Sequence, residues 1–438
     1  MVSWVNDGQL RRLLTDRSTW WRGAGWERDD PDLREAANAP FLYKPVPLAD
    51  LRPAGLYVLR GPRRVGKSVE VKRAIATVIG QGANPRLVFF CSCDGLTAQD
   101  VRRLITVGQR DTATLAGDRY WFLDEITAVP GWAVVIKELR DGDPAFRRSC
   151  VVLSGSSARD LREATKVLAG RRGDVADSDR LLLPMDFRSF CLATSDFDRL
   201  PEVGFRPKDL FTAPGEGAIG ELRPFFSELD HAWQSYLRVG GFPRAVSDFV
   251  ATADVGAGFV RARDLGLSDH HRVNDRINAL GSALMAWRCH LIRGQLPNLR
   301  AREKIYFLDP LIARLPHIRD ERRRAPDDSC LTEQQLGMLL LRAAGGRSPS
   351  ALLEASTVMY ERTAARAEID FVGPDLGVAF EAKYVDGPWR HAARTLRAQR
   401  NGGILATRTV LELESRNGEN PVWAVPAGIL GWLLRAQS

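Results

Sequence analysis

Cysteine is scarce in this 438-residue sequence, and long apolar runs are absent. No stretch reaches the roughly 18 apolar residues of a transmembrane helix, so the sequence predicts no membrane-spanning helix. The N-terminal residues lack the basic-then-apolar order of a signal peptide, so secretion is not expected. The cysteines are Cys91, Cys93, Cys150, Cys191, Cys289 and Cys330. They form neither a C-x-x-C pair nor a zinc spacing, which predicts a reduced, cytoplasmic protein without a membrane partner.

Charge is the strongest signal in the composition. The formal net charge is +8 and the pI is near 9.3, which favours an acidic partner, nucleic acid first. Arginine dominates the basic side, and one cluster comprises Arg319, Arg322, Arg323 and Arg324. A high-GC coding bias would explain arginine in place of lysine, but it would not explain the positive balance. The length predicts two or three domains, and the composition is that of an ordinary globular protein.

Residues 61–68 read Gly-Pro-Arg-Arg-Val-Gly-Lys-Ser, a complete G-x-x-x-x-G-K-[ST] phosphate-binding loop. Such a loop points backbone N–H groups at phosphate oxygens, its lysine adds positive charge at the β- and γ-phosphates, and its serine binds Mg²⁺. An apolar run at 56–60 and helical spacing from about 68 to 79 supply the strand–loop–helix context. The predicted cofactors are therefore ATP and Mg²⁺. The residues predicted to bind them here are Gly61, Pro62, Arg63, Arg64, Val65, Gly66, Lys67, Ser68 and Val69.

Residues 120–126 read Tyr-Trp-Phe-Leu-Asp-Glu-Ile, an apolar strand that ends in two acids, which is a Walker B pattern. We expect Asp124 to hold the Mg²⁺ shell together with Ser68. Glu125 is placed to polarise the attacking water. The pattern therefore predicts hydrolysis, with Glu125 and Lys67 as catalytic residues, and not nucleotide binding alone.

A further apolar strand is predicted at 150–154, followed by Gly155-Ser156-Ser157. In a parallel sheet its end would lie beside the Walker B acids, so Ser154 or Ser156 would contact the γ-phosphate or the attacking water. The equally weighted interpretation is a serine-rich turn that caps a helix beginning near Ala158. The two interpretations are compatible.

Composition shifts divide the sequence into five parts. We predict an N-terminal arm at 1–50, an ATPase core of alternating strands and helices at 51–197, and a Pro- and Gly-rich linker at 198–224. A helical, basic region at 225–325 precedes a C-terminal domain at 326–438. The predicted fold class is α/β.

From Gly61 to Pro243 the chain resembles a branch of the prokaryotic AAA+ P-loop ATPases, in which the ATPase core is followed by a helical region and a C-terminal domain of uncharacterised type. The order of several short motifs carries the resemblance. They are the phosphate-binding loop, Leu123-Asp-Glu-Ile126 with Pro130-Gly-Trp132, Leu153-Ser-Gly-Ser-Ser157, Ala169-Gly-Arg171, Leu183-Pro-Met-Asp-Phe187, Val239-Gly-Gly-Phe-Pro243 and Lys304-Ile-Tyr-Phe-Leu-Asp309.

The resemblance implies roles for three residues. Arg171 or Arg172 would reach the γ-phosphate of a neighbouring subunit, which implies a homo-oligomer. Pro243 would lie near the adenine, although on sequence alone it belongs to a turn. Members of the branch often carry a winged helix before the Lys-x-Tyr-Phe-x-Asp motif. Here the interval 244–303 is short, so a shortened winged helix or none is expected.

Two predicted strands near the C-terminus carry the second set of polar residues. Asp370 on one strand and Glu381-x-Lys383 on the next match the D…(D/E)-x-K core of restriction-endonuclease-like folds. Residues two apart on a strand share a face, so the acids would hold a divalent metal while Lys383 assists the nucleophile. Glu333 matches an additional metal-binding acid, and Gln399 is an accessory candidate. The alternative is an amphipathic hairpin whose Glu381 and Lys383 form a surface ion pair.

Together these features predict an ATP-hydrolysing protein that acts on DNA, with a nuclease-like C-terminal domain that binds or cleaves it. The alternative is a nucleotide-dependent signalling or scaffold switch whose C-terminal domain contacts a protein partner. DNA-stimulated ATPase activity separates the two.

Overall fold

The computed structural model describes residues 5–155, 166–175, 177–195, 197–253, 273–345, 356–363, 366–399, 401–414 and 420–435. These residues divide into two units. The first lies within Met1–Ala39, Lys44–Leu183 and Ser282–Leu284, and the second lies within Pro40–Tyr43, Pro184–Gly281 and Met285–Ser438. Of the residues named above, Ser156, Ser157 and Ala158 lie outside the described ranges.

The first unit is built on a parallel five-stranded sheet. Its strands are β1 (Leu56–Arg60), β2 (Val88–Ser92), β3 (Tyr120–Asp124), β4 (Cys150–Gly155) and β5 (Asp179–Leu181), in the order β2-β3-β4-β1-β5. All residues of β1 and β4 are buried. A parallel sheet needs such two-sided burial because its connections cross over both faces.

Helices cover both faces of this sheet. They are α1 (Asp7–Arg17), α2 (Trp26–Asp29), α3 (Pro31–Ala37), α4 (Lys67–Gly80), α5 (Ala98–Asp111), α6 (Trp132–Gly142) and α7 (Pro144–Arg148). Alternate strand residues enter opposite cores, as the strand period requires: Phe89 and Trp121 lie in one and Phe90 and Phe122 in the other. Cys91 and Cys93 are free, buried thiols of the first of these cores. 

The N-terminal arm is helical and packs against the same sheet. Leu10 and Leu14 of α1 are buried in the core. The indole N–H groups of Trp20 and Trp21 both donate to the Val88 carbonyl, each at 3.0 Å. The arm therefore covers the sheet and has no core of its own.

The second unit contains a mixed sheet. Its strands are β6 (Ala286–Arg293), β7 (Leu296–Asn298), β8 (Lys304–Phe307), β9 (Met359–Arg362), β10 (Glu368–Val372), β11 (Ala379–Ala382), β12 (Gly403–Thr407), β13 (Glu412–Glu414) and β14 (Val422–Pro426). The order is β13-β14-β12-β11-β10-β9-β6-β7, and β8 pairs with β6. Together with the parallel sheet of the first unit, this sheet confirms the predicted α/β class.

The secondary structure of the second unit differs from two predictions, and its helices are given first. They are α8 (Phe187–Thr194), α9 (Ala213–Leu222), α10 (Phe226–Val239), α11 (Pro243–Thr252), α12 (Val273–Ser282), α13 (Pro310–Arg319), α14 (Asp328–Gly345), α15 (Arg394–Arg397) and α16 (Ala427–Leu433). The expected linker contains α9, whose Pro214 lies in the first turn, where proline is tolerated. The region expected to be helical also contains the strands β6, β7 and β8.

Residues of three motifs meet at one buried carboxylate of the second unit. Asp309 is fully buried, and its oxygens accept from the Gly241 N–H at 2.7 Å and from the Leu311 N–H at 2.9 Å. The Gly241 carbonyl in turn accepts from the Met185 N–H at 2.8 Å. The Leu183-to-Phe187, Val239-to-Pro243 and Lys304-to-Asp309 motifs therefore support one another structurally.

Asp309→Ala is expected to lower the free energy of opening of this region by about 2–4 kcal/mol, because two buried N–H groups lose their acceptor. Hydrogen–deuterium exchange of peptides containing Gly241 and Leu311 measures this. Glu321→Ala, at an exposed acid of the same unit, should change the exchange by less than about 0.5 kcal/mol. If the Gly241 amide exchanges no faster in Asp309→Ala than in the wild type, the structural role assigned to Asp309 is wrong.

The loss of stability in Asp309→Ala is predicted to depend on pH. Burial raises the pKa of Asp309 to about 7, against the opposing effect of its two N–H donors. The folded state then keeps the proton up to about pH 7, while the unfolded chain releases it near pH 3.8. The contribution of the Asp309 carboxyl to the free energy of unfolding therefore falls as the pH rises between these two values. The difference in free energy of unfolding between the wild type and Asp309→Ala should therefore be larger at pH 5 than at pH 8.

Within the described ranges, no helix has the length and apolar character needed to cross a bilayer.

Candidate functional site

The phosphate-binding loop connects the end of β1 to the start of α4. Gly61 lies so close to the sheet that a Cβ there would come within 2.2 Å of the Leu182 carbonyl oxygen. Gly66, which precedes α4, has a φ of 97°, a conformation that favours glycine. Of the other loop residues, Pro62 and Val65 are buried, whereas Arg63 and Arg64 are exposed.

Lys67 begins α4 and folds back over the loop. Its Nζ donates to the carbonyl oxygens of Gly61 at 3.0 Å and Pro62 at 2.9 Å. Burial lowers the pKa of Lys67 below its usual value, while the nearby carboxylates of Glu125 and Asp124 oppose that shift. The ammonium is thus held inside the loop, beside two acids.

Asp124 is the point where three strand and helix ends meet. Its Oδ2 accepts from the Ser68 hydroxyl at 2.7 Å. Its Oδ1 accepts from the Ser154 hydroxyl and, at 3.1 Å, from the Glu125 N–H. The carboxyl ends of β3 and β4 are adjacent in the sheet, which is why Ser154 reaches the Walker B acid. The contact satisfies the geometric part of the sequence prediction for Ser154; its role toward phosphate stays a prediction.

Glu125 has a strained backbone. Its φ is 49° and its ψ is 36°, the left-handed region, which non-glycine residues adopt rarely. Residues held in this region are concentrated at functional sites. The residue directly follows β3, at the same sheet edge as the phosphate-binding loop.

The two candidate intersubunit arginines have different environments. The Arg172 guanidinium is largely buried and donates to the Ser178 hydroxyl and the Asp179 carboxylate, each at 2.6 Å. Arg171 lies at the surface and pairs with Asp141, with Nε 2.9 Å from Oδ1. This contact lowers the pKa of the Asp141 carboxyl. Arg171 is therefore the more accessible of the two.

Pro243 begins α11 and belongs to the second unit, whereas the phosphate-binding loop belongs to the first. Two residues before Pro243, the Gly241 N–H donates to Asp309 of the same unit. The proposed role of Pro243 beside an adenine stays a prediction.

The polar residues of the C-terminal sheet lie on neighbouring antiparallel strands. Phe371 of β10 pairs with Phe380 of β11, so Asp370 stands opposite Glu381. Asp370 Oδ2 accepts from the Ala382 N–H at 3.0 Å. Lys383 Nζ lies 3.0 Å from Glu381 Oε1, and because Glu381 is buried the two do not form a pair that is exposed on both sides. Burial raises the pKa of Asp370 and also that of Glu381.

Lys304, to which the sequence assigned no chemical role, contacts three of the acids around this sheet. Its Nζ lies 2.9 Å from Glu333 Oε1, 2.7 Å from Glu368 Oε1 and 3.0 Å from Asp370 Oδ1. Burial alone would lower its pKa, but these carboxylates raise the pKa above its usual value. The sequence feature that could have drawn attention to Lys304 is its position as the first residue of the Lys-x-Tyr-Phe-x-Asp motif.

Gln399 follows α15, and its backbone carbonyl accepts from the Asn420 side chain. Among the residues that the structure describes, no three His, Cys, Asp or Glu side chains form a group that could hold a metal ion. The Ser68–Asp124 pair offers a hydroxyl and a carboxylate, which are oxygen donors of the kind that Mg²⁺ prefers.

Residues 54–191 match the family model described as AAA domain. The segment contains the whole parallel sheet, the phosphate-binding loop and the Walker B acids. This part of the chain is therefore an AAA-type ATPase domain. A comparison with curated proteins gave no significant match.

Three solved structures are similar at low sequence identity. The Walker-type ATPase of Pyrococcus abyssi is 12% identical, with a TM-score of 0.32, and the match covers 68% of this chain and 95% of that one. The ORC2 protein of Aeropyrum pernix, solved as ADPNP–ADP complexes, is 11% identical, with a TM-score of 0.27 and coverages of 60% and 85%. The ORC1 protein of Aeropyrum pernix in complex with DNA is 13% identical, with a TM-score of 0.25 and coverages of 70% and 96%.

Proposed function

We propose that this chain hydrolyses ATP at the edge of its parallel sheet and uses the reaction to act on DNA. The observation that carries the first part is the convergence of Ser68 and Ser154 on Asp124. In the proposed reaction, backbone N–H groups of the loop and Lys67 bind the phosphates. Glu125 orients and polarises the attacking water, and Ser154 positions the γ-phosphate or that water.

Ser68 and Asp124 are the residues that would hold Mg²⁺. The ion would supply charge neutralisation on the β- and γ-phosphates. Lys67 adds positive charge at this chain's own nucleotide site. Because Arg171 lies at the surface of its own unit in an exposed contact with Asp141, it is proposed to leave that contact and act on the nucleotide of a neighbouring copy, in a homo-oligomer.

The proposal for DNA is supported by charge. The chain carries a net charge of +8. At the end of α13, Arg319, Arg322, Arg323 and Arg324 are all exposed, against only Asp320 and Glu321 in the same short segment. Clustered arginine side chains are suited to phosphate contacts along a nucleic-acid backbone.

The C-terminal sheet is proposed to be a nuclease-like domain that engages DNA. Its support is the placement of Asp370 opposite Glu381, with Lys383 two residues on, which agrees with the restriction-endonuclease-like pattern of the sequence. The pattern concerns fold, and activity is a separate matter.

The DNA proposal is tested by replacing Arg322, Arg323 and Arg324 with alanine. We expect weaker binding to duplex DNA of any sequence, and a slope of log K against log salt that is shallower by up to about 3 units. Fluorescence anisotropy at several salt concentrations measures both. 

The matched control removes the same charge elsewhere, by Arg12→Ala, Arg28→Ala and Arg34→Ala, all at exposed positions of the N-terminal helices. If both triple variants lose affinity equally, the binding is non-specific attraction to net charge. If neither loses affinity, the proposed arginine surface is wrong.

The alternative, a nucleotide-dependent switch that contacts a protein, has one observation in its favour. Leu296 and Leu299, on and just after β7, are 70% and 69% exposed. Exposed apolar side chains close in sequence suit a protein contact. ATP hydrolysis that is indifferent to every form of DNA would favour this function.

A further inference from the structure

The C-terminal acids enclose an ammonium group of the chain itself. Lys304 Nζ is within 3.0 Å of carboxylate oxygens from Glu333, Glu368 and Asp370, while its side chain is only 21% exposed. These acids come from α14 and β10, and the lysine comes from β8. The cluster is therefore assembled by the fold and is not a local ion pair.

Other donors occupy the same acids. The Tyr306 hydroxyl donates to Glu333 Oε1, the oxygen that also contacts Lys304. Asp370 uses Oδ1 for Lys304 and Oδ2 for the Ala382 N–H. Both oxygens of Asp370, one of the acids expected to hold the metal, thus already accept hydrogen bonds.

A divalent metal does not fit this arrangement. Ca²⁺ and Mg²⁺ require about six or more oxygen ligands at roughly 2.0–2.6 Å. In the described part of the chain, only Glu381 Oε2 is a buried carboxylate oxygen of this set without a hydrogen-bond partner, since Oε1 contacts Lys383. Water can complete the shell of such an ion, but the position between Glu333, Glu368 and Asp370 is filled by the Lys304 ammonium, whose charge would repel a divalent cation. No three potential ligand side chains group together among the described residues.

We propose that the ammonium of Lys304 takes the place of the metal ion in the C-terminal domain, so that the domain works without a divalent metal. One positive charge held by three carboxylates stabilises the sheet and neutralises part of its acidic cluster. The domain would then bind its partner without metal-dependent cleavage of phosphodiester bonds. The inference rests on the proposed function only for the nature of that partner.

The experiment is a Mn²⁺ titration of nucleotide-free full-length protein, with free Mn²⁺ followed by electron paramagnetic resonance. Five proteins are compared: wild type, Asp370→Asn, Lys304→Met, Lys304→Arg and the double variant Lys304→Met/Asp370→Asn. We expect wild type and Asp370→Asn to bind the same number of ions. Lys304→Met should gain one site, and the double variant should lose it again. Lys304→Arg, which keeps the positive charge, should gain none.

A Mn²⁺ site of the wild type that disappears in Asp370→Asn would overturn the proposal. So would a folded Lys304→Met protein that gains no site. If Lys304→Met does not fold, the comparison of wild type with Asp370→Asn decides the question, supported by the melting temperature of the wild type in EDTA and in Mn²⁺. The melting temperatures in EDTA and in Mn²⁺ should differ by less than about 2 °C, which corresponds to a change in stability of roughly 1 kcal/mol or less. The titration contains no DNA, so it stands or falls separately from the DNA proposal.

Discussion

Glu125→Gln is expected to lower kcat for ATP hydrolysis by about 10²–10⁴-fold, while ATP affinity stays within a few-fold of wild type. The amide keeps the size of the side chain but cannot accept the proton of the attacking water. Nucleotide binding depends instead on the loop amides, Lys67 and the Ser68–Asp124 pair, which the substitution does not touch. Single-turnover hydrolysis together with equilibrium binding of a fluorescent ATP analogue separates the two effects.

Two controls frame this result. Glu138→Gln makes the same chemical change at an exposed acid of α6 that pairs with Arg102, so kcat should not change. Lys67→Ala removes the buried ammonium of the loop and should abolish binding as well as hydrolysis. Wild-type turnover in Glu125→Gln would show that another group activates the water, and the strained conformation of Glu125 would need a different explanation.

Arg171→Ala is expected to reduce kcat by about 10³-fold in the assembled protein without lowering its melting temperature, as an arginine supplied to a neighbouring site does. The contact between Arg171 and Asp141 is exposed, and such pairs contribute little, so the arginine can leave it at small cost. Asp141→Ala should therefore leave kcat at or slightly above the wild-type value. Phosphate release at protein concentrations above and below assembly measures the effect.

Arg172→Ala is the matched comparison. Its guanidinium bonds Ser178 and Asp179 in the interior of its own unit, so its loss should mainly destabilise the first unit. Mixing tests action between subunits directly. Arg171→Ala and Lys67→Ala are each inactive, but a mixed assembly places an intact Arg171 beside an intact loop. Recovery of part of the activity is expected on mixing. No recovery, with assembly demonstrated, would exclude Arg171 as the shared group.

The ATPase site was predictable because its signals are local in sequence. A glycine-rich loop between a buried strand and a helix, and an apolar strand that ends in Asp124 and Glu125, each fit within about a dozen residues. The position of Ser154 followed from one further rule, that the carboxyl ends of parallel strands meet at the same sheet edge. The structure places its hydroxyl on Asp124.

Contacts between distant segments were not predictable in the same way. Lys304 and Asp370 meet although they are separated by 66 residues, and Gly241 and Asp309 by 68. Helix α9 was missed because prolines and glycines outweighed the helical spacing of Ala218, Ile219 and Leu222, which are buried. Proline in the first turn loses no helical hydrogen bond, so the composition was misleading there.

Strand β6 was missed for a related reason. Its basic side chains, Arg288 and Arg293, resembled the surface of a helix, but its neighbours Cys289 and His290 are buried in a sheet. Pairing with β9 on one side and β7 on the other, together with pairing to β8, fixes the segment as a strand. Tertiary pairing of this kind overrides local preference.

The most direct test of the account is the rate of ATP hydrolysis by the full chain with Mg²⁺, measured without DNA and with duplex, single-stranded and branched DNA. We expect measurable hydrolysis that rises several-fold with at least one of these forms and disappears in Glu125→Gln. Hydrolysis that persists in Glu125→Gln would contradict the assignment of the site. Robust hydrolysis that no form of DNA changes would contradict the action on DNA and favour a protein partner.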